Sequence, residues 1–75
     1  MEKFLTKFEK TRVLGQRAEQ ISRGAPPMVD ITGIYDALEI AEKELFEKKI
    51  PINIIRTYSD GTKEVISVND LHDLT

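Results

Sequence analysis

The sequence of 75 residues contains no cysteine and a single histidine. Without cysteine there is neither a disulfide framework nor a thiolate metal site, which suits a reducing cytosol. No apolar run approaches the length that crosses a bilayer, and the N-terminus lacks the apolar core of a signal peptide. We therefore expect a cytoplasmic protein without membrane contacts.

The sequence also lacks the residue patterns of an active site. His72 lies near the C-terminus, in a segment that we expect to be a mobile tail. Gly15, Gly24 and Gly33 match no phosphate-binding loop, and no cluster of metal ligands is present. Carboxylates occur at the spacings of caps and surface ion pairs rather than as a catalytic pair. We expect no catalytic, cofactor or metal site, and no enzyme activity of the chain on its own.

Length and charge restrict the function further. The chain has room for one domain, residues 1–75, in which we expect residues 1–5 and 72–75 to be mobile. A domain of this size buries only about 60% of its unfolded surface, so docking on a larger partner would add burial that it lacks. The net charge of −2 argues against a protein whose main role is to bind nucleic-acid phosphates.

The strongest local signal is a helix from Leu5 to Ser22. Thr6 and Glu9 have the spacing of a capping box, and Gly24 followed by Pro26 and Pro27 ends the helix. A mid-helix glycine costs about 1 kcal/mol relative to alanine, so Gly15 predicts close approach of another backbone. The helical period predicts a buried stripe of Phe8, Thr11, Leu14, Gly15, Ala18, Ile21 and Ser22.

The other side of this helix carries Arg12, Gln16, Arg17 and Gln20 around Val13. It is either an ordinary solvated face or a surface that binds a partner's backbone and carboxylates, because arginine offers a planar donor fork and glutamine both donates and accepts. Periodicity does not decide between the two. If Arg17 serves a partner, Arg17→Ala should leave the melting temperature nearly unchanged, whereas a bulky residue at Gly15 should destabilise the domain.

An apolar loop at 24–35 and a second helix follow the first helix. The loop contains Pro26, Pro27 and Met28 and either covers the chain's own core or lies extended against a partner. A second helix begins at Asp36, with Glu39 as a capping-box analogue, and reaches about residue 48 or 49. Its predicted buried stripe is Ala37, Leu38, Ala41 and Leu45, with Ile40 and Phe46 outside it and Glu44 paired with Lys48.

The C-terminal part predicts a hairpin, with strands at 52–58 and 63–68 around Asp60-Gly61, followed by a short turn or frayed helix at 69–71. The fold class is therefore α+β: two main helices joined by a structured, proline-containing loop, followed by a C-terminal β-hairpin.

Several ordered blocks of this sequence resemble one family. The blocks are residues 5–21, 25–29, 38–45 and 49–51, with Arg56 and Asp60-Gly61. They are similar to archaeal DNA-directed RNA polymerase subunit K, a relative of the sixth common eukaryotic subunit and of bacterial omega. The long acidic N-terminal extension of the eukaryotic relatives is missing here, so the length fits the archaeal branch better.

The resemblance implies a non-catalytic subunit that promotes assembly and stability of RNA polymerase. It would clamp the C-terminal part of the largest subunit, beside neighbouring polymerase subunits, without specific nucleic-acid binding of its own. The residues expected to contact the partner are Arg12, Gln16, Arg17, Gln20, Pro26, Pro27, Met28 and, as an isolated cation on a strand, Arg56.

A second hypothesis is a small free-standing protein that binds nucleic acid or regulates transcription. Lys10, Arg12, Arg17 and Arg23 would supply its modest basic face, offset by Glu9 and Glu19. Submicromolar, steeply salt-dependent binding to duplex DNA would favour this hypothesis.

Overall fold

A computed structural model describes residues 3–73. The chain forms β1 (Phe4–Leu5), α1 (Lys7–Ser22), α2 (Ala37–Phe46), β2 (Asn53–Thr57), β3 (Lys63–Ser67) and β4 (His72–Asp73), with a 3-10 turn at Val68–Asp70 before β4. This arrangement confirms the predicted α+β class with its C-terminal hairpin. Among the described residues, no helix is both long and apolar enough to cross a membrane.

Both ends of α1 follow from local sequence signals. The Thr6 hydroxyl accepts a hydrogen bond from the backbone N–H of Glu9 at 3.1 Å, and the Glu9 carboxylate accepts one from the Thr6 N–H at 3.0 Å. The predicted capping box is therefore confirmed. At the other end Gly24 adopts φ +104°, and the N–H of Ala25 donates to the carbonyl of Gln20 at 3.0 Å. Glycine is favoured at this left-handed position, because a side chain would be strained there.

The bounds of α2 differ from the prediction. Asp36 precedes the helix, but its side chain makes no capping hydrogen bond with the described residues, so the predicted capping box with Glu39 is wrong. The helix ends at Phe46 because Lys48 turns to a positive φ of 59°. The N–H of Lys49 then donates to the carbonyl of Glu44 at 2.9 Å, which closes the helix end.

The strands form two separate pairs. β2 and β3 are antiparallel, with Asn53 opposite Ser67 and Ile55 opposite Val65, as the hairpin prediction requires. β1 and β4 form a short parallel pair, in which the N–H of His72 donates to the carbonyl of Lys3 at 3.0 Å. The predicted mobile tails thus contain these two paired strands, while their outer residues 1, 2, 74 and 75 lie outside the described chain.

The predicted buried stripe of α1 is only partly confirmed, because Leu14, Ala18 and Ile21 are half-buried and no residue of the stripe is fully buried. Val13 and Arg17 are the buried residues of this helix, whereas Phe8 and Gly15 of the predicted stripe are exposed. Apart from the backbone of α1 itself, no described atom lies within 4 Å of the Cβ position of Gly15, so no other element approaches it within residues 3–73. The buried residues Val13 and Arg17 therefore lie on the polar face of α1, which we expected to contact solvent or a partner.

The prediction for α2 is wrong at two positions. Ile40 is buried and Leu38 is exposed, whereas Ala41 and Leu45 are buried as expected. The core cluster combines residues from the helices, the hairpin and both ends of the described chain. Its members are Leu5, Val13, Leu45, Ile50, Ile52, Ile66, Val68 and Leu71.

Candidate protein-interaction surface

Arg17 and Glu44 form a buried ion pair between α1 and α2. The relative exposure is 2% for Arg17 and 0% for Glu44. The guanidinium Nε donates to one carboxylate oxygen at 2.6 Å, and Nη2 donates to the other at 2.9 Å. This two-point geometry matches the planar fork of arginine to a carboxylate. Its hydrogen bonds to Glu44 hold the pKa of Arg17 above its ordinary value, so the guanidinium stays charged.

The same ion pair fixes the proline-containing loop. Arg17 also donates to the Pro26 carbonyl at 3.0 Å and to the Gln20 side-chain oxygen at 3.1 Å. Glu44 accepts a further hydrogen bond from the backbone N–H of Met28 at 2.8 Å. Since the pair holds both helices and the loop, the backbone at Pro26 and Met28 lies against the chain's own helices.

These contacts correct the expectation for Arg17. Its guanidinium is buried within the chain and is not accessible to a partner. Glu44 supplies the countercharge that makes this burial possible. The predicted surface pair of Glu44 with Lys48 is also wrong. Lys48 donates instead to the carbonyl of Leu71 at 2.8 Å.

Arg56 is likewise held within the chain. It donates from Nε and Nη2 to the two carboxylate oxygens of Glu9, at 3.1 and 2.8 Å, and from Nη2 to the Phe4 carbonyl at 2.7 Å. Hydrogen bonding to Arg56 lowers the pKa of Glu9, and the same contact raises the pKa of Arg56. The pair joins β2 to the start of α1, so Arg56 is not the isolated cation that its place on a strand suggested.

Other predicted contact residues remain accessible. Arg12 and Gln16 are exposed on α1, Pro26 and Met28 are exposed in the loop, and Gln20 and Pro27 are half-buried. Arg12 lies over the Phe8 ring, 5.7 Å from its centroid. Within residues 3–73 no carboxylate forms an ion pair with Arg12.

Arg12 and Gln16 line an open groove between α1 and β2, which we call the α1–β2 groove. Its volume is about 450 Å³. Its principal lining residues are Phe8, Arg12, Gln16, Asn53, Ile54 and Ile55. Residue patterns alone missed the contribution of Phe8 and Ile55. The adjacent apolar pair Ile54-Ile55 was the available signal, since strand alternation places only one of the two on the core side.

The proposed basic face is not present as a patch of unpaired cations. Arg17 is buried with Glu44, the Lys10 ammonium lies 3.0 Å from Asp73, and Arg23 lies 2.7 Å from Glu19. Arg12 alone of the four predicted basic residues has no carboxylate beside it among the described residues. A single exposed arginine is a weak phosphate-binding surface.

Comparison with known proteins identifies the family. A family profile described as RNA polymerase Rpb6 matches residues 1–52. The chain belongs to the RNA polymerase Rpb6 family. It is 53% identical over 68 residues to DNA-directed RNA polymerases I, II, and III subunit RPABC2 of Saccharomyces cerevisiae, covering 91% of this chain and 44% of the yeast protein.

Two other members are similar over most of this chain. The identity is 51% over 69 residues to DNA-directed RNA polymerases II and V subunit 6B of Arabidopsis thaliana, and 54% over 61 residues to a probable RPABC2 subunit of Caenorhabditis elegans. These matches cover 92% and 81% of this chain and 48% and 44% of the relatives. This Rpb6-family chain thus spans less than half the length of these relatives.

Proposed function

We propose that this chain is a non-catalytic subunit of a DNA-directed RNA polymerase. The observation that carries the proposal is the match to the Rpb6 family across residues 1–52, together with relatives named as polymerase subunits at more than 50% identity. The chain has no enzyme activity of its own in this proposal. It contributes binding energy that stabilises the assembled conformation of a partner.

The partner proposed for this role is the largest polymerase subunit, in its C-terminal part, with neighbouring subunits close by. Accessible polar and apolar groups support an interaction surface on α1 and the loop, namely Arg12, Gln16, Gln20, Pro26, Pro27 and Met28. Arg17 and Arg56 support the same surface indirectly, since their ion pairs hold α1 against α2 and β2.

Purification from a native extract tests the proposal. An affinity-tagged copy of the chain should recover the largest subunit and other polymerase chains, identified by mass spectrometry. Reconstitution of the polymerase without this chain should lower the yield of assembled enzyme more than the activity of each assembled molecule. A homogeneous polymerase that lacks the chain, or a tagged chain that recovers no polymerase subunit, would contradict the proposal.

Within the family we assign the chain to the archaeal form, subunit K. Resemblance in the blocks at 5–21, 25–29 and 38–45 supports this assignment. The intact mass of the subunit in its native polymerase provides the test. A mass of 8.6 kDa supports the assignment, whereas a mass roughly double would place the protein with the longer eukaryotic relatives.

A further inference from the structure

β2 has one edge that no described strand covers. At the two ends of the hairpin, the N–H of Val68 donates to the Ile52 carbonyl at 3.0 Å, and the N–H of Tyr58 donates to the Thr62 carbonyl at 2.9 Å. Residues along an antiparallel strand direct their backbone groups alternately toward one neighbour and the other. The backbone groups of Asn53, Ile55 and Thr57 therefore point away from β3.

Part of this uncovered edge, at Asn53 and Ile55, lines the α1–β2 groove. Arg12 and Gln16 of α1 line the same groove. A row of unsatisfied N–H and C=O groups is a template for an added strand. Because α1 runs beside this edge, a strand added here would meet side chains of the helix as well as the backbone of β2.

The groove has an unmatched positive charge. Arg12 has no ion-pair partner within residues 3–73, whereas Glu9, the acidic residue of the groove, is engaged by Arg56. Apolar surface flanks the charge, since Phe8 is 70% exposed and Ile55 is 65% exposed. The complementary ligand is an extended segment with a carboxylate that reaches Arg12 and apolar side chains beside Phe8 and Ile55.

We propose that the edge of β2 takes up an extended, acidic segment of a polymerase subunit as a third strand, with the segment's carboxylate on Arg12. This inference rests on the proposed function, because it takes the segment from the polymerase. Gln16 can donate to and accept from the backbone of the added strand. The hairpin thereby becomes a three-stranded sheet.

The chemistry of the groove favours a different chain over a second copy of this one. The edge strand of a second copy is Asn53–Thr57, which contains no carboxylate and carries Arg56. Two such strands side by side would leave both Arg12 side chains without a countercharge. An acidic segment of another protein provides the charge that a second copy lacks.

Residue-resolved hydrogen exchange on the full chain, free and bound to the polymerase, tests the strand directly. The amides of Asn53, Ile55 and Thr57 should exchange rapidly in the free chain and become at least tenfold slower in the complex. Lys63, Val65 and Ser67 on the outer edge of β3 are the internal control and should change much less. Equal protection of both edges, or none at Asn53, Ile55 and Thr57, would overturn the inference, as would protection of β2 in a dimer of the free chain.

Matched proline variants test the backbone contribution. Ile55 and Val65 lie opposite each other and are 65% and 66% exposed. Each N–H points away from the hairpin, so proline at either position removes an outward donor without removing a hydrogen bond between β2 and β3. Ile55→Pro should weaken polymerase binding about tenfold, while Val65→Pro changes it less than about twofold. Ile55→Ala keeps the donor and measures the side-chain contribution separately.

A charge reversal completes the test. Arg12→Glu should weaken binding about tenfold or more, whereas Lys63→Glu, the same charge change on an exposed residue of β3, should have little effect. If the wild-type chain binds no polymerase, the proposed function fails and this inference fails with it. If the wild-type chain binds, but Arg12→Glu, Ile55→Pro and the exchange of the β2 amides show no difference from their controls, only the added strand is rejected.

Discussion

At the scale of single residues, Arg17 and Glu44 show why a polar face on a helix need not face solvent. A buried carboxylate or guanidinium alone is costly, but each here offsets the other's charge and has further hydrogen-bond partners in Gln20, Pro26 and Met28. Their joint effect is to specify how α1, α2 and the loop fit together. The two residues therefore define the arrangement of elements on which the α1–β2 groove depends.

Removing Arg17 should destabilise the isolated chain. Arg17→Ala leaves Glu44 buried without its countercharge, which costs about 3 kcal/mol or more. Urea unfolding followed by circular dichroism measures the loss. Arg12→Ala on the exposed side of the same helix is the matched control and should change the free energy of unfolding by about 0.5 kcal/mol or less. Equal effects of the two substitutions would contradict the burial of Arg17.

The Glu9–Arg56 pair should make stability depend on acid pH. The pKa of Glu9 lies below its ordinary 4.5 because Arg56 donates to the ionised carboxylate. The stabilisation is therefore complete above pH 4.5 and is lost as the pH falls through the lower, folded-state pKa. Urea unfolding between about pH 6 and about pH 3 should show a smaller loss of stability for Glu9→Gln than for wild type.

Two comparisons make this acid test specific. Glutamine retains an oxygen for the Thr6 N–H, so Glu9→Gln changes the ion pair more than the helix cap. Glu42→Gln, at an exposed position of α2 with no ion pair among the described residues, should follow the wild-type profile. The same acid dependence in Glu9→Gln as in wild type would show that the ion pair with Arg56 does not contribute.

At the scale of elements, the environment of a glycine decides the effect of replacing it. Gly15 lies within α1 with open space around its Cβ position, so Gly15→Ala should stabilise the chain by about 0.5–1 kcal/mol. Gly61 also has open space, but its φ is +90°, and Gly61→Ala should destabilise the hairpin. Thermal unfolding of the two variants measures both effects. A lower melting temperature for Gly15→Ala would indicate a close contact of the kind that the sequence predicted.

The elements predicted correctly are those that nearby residues specify. Thr6 with Glu9 fixes the start of α1, Gly24 fixes its end, and Asp60-Gly61 fixes the hairpin turn. In each case the donors and acceptors lie within a few residues of one another. A short sequence window therefore contains both partners of each hydrogen bond, and this is why these elements could be predicted from the sequence.

The buried faces depended on distant residues and were not predictable in the same way. Burial of Arg17 requires Glu44, which is 27 residues away, and only the fold brings them together. The pairing of Phe4–Leu5 with His72–Asp73 joins the two ends of the described chain through a ladder too short to have a sequence pattern. The α1–β2 groove likewise arises from elements that are distant in sequence, so single residues such as Arg12 were predicted without the surface that surrounds them.

At the scale of the whole molecule, the shape exposes much of the apolar surface. The described chain measures 45 × 23 × 17 Å. Phe8, Tyr35, Phe46, Ile55 and Val65 are all more than half exposed. Of these side chains, Phe8 and Ile55 line the same α1–β2 groove, where neighbouring apolar groups favour contact with a protein partner. The elongated shape, with little core of its own, is consistent with a chain that gains stability when a larger protein covers it.

The charge distribution predicts weak binding to nucleic acid. The net charge is −2, and Lys10, Arg17 and Arg23 each lie beside a carboxylate. Binding to duplex DNA is driven by cations that release counterions from phosphates. Of the predicted basic face, only Arg12 has no carboxylate beside it among the described residues, which is a poor substitute for a basic patch. A fluorescence titration of labelled duplex DNA at about 0.15 M salt should therefore show no submicromolar binding by the isolated chain. Arg12→Ala should leave the titration unchanged, whereas tight binding that falls steeply with salt and depends on Arg12 would support a free-standing regulator instead of a polymerase subunit.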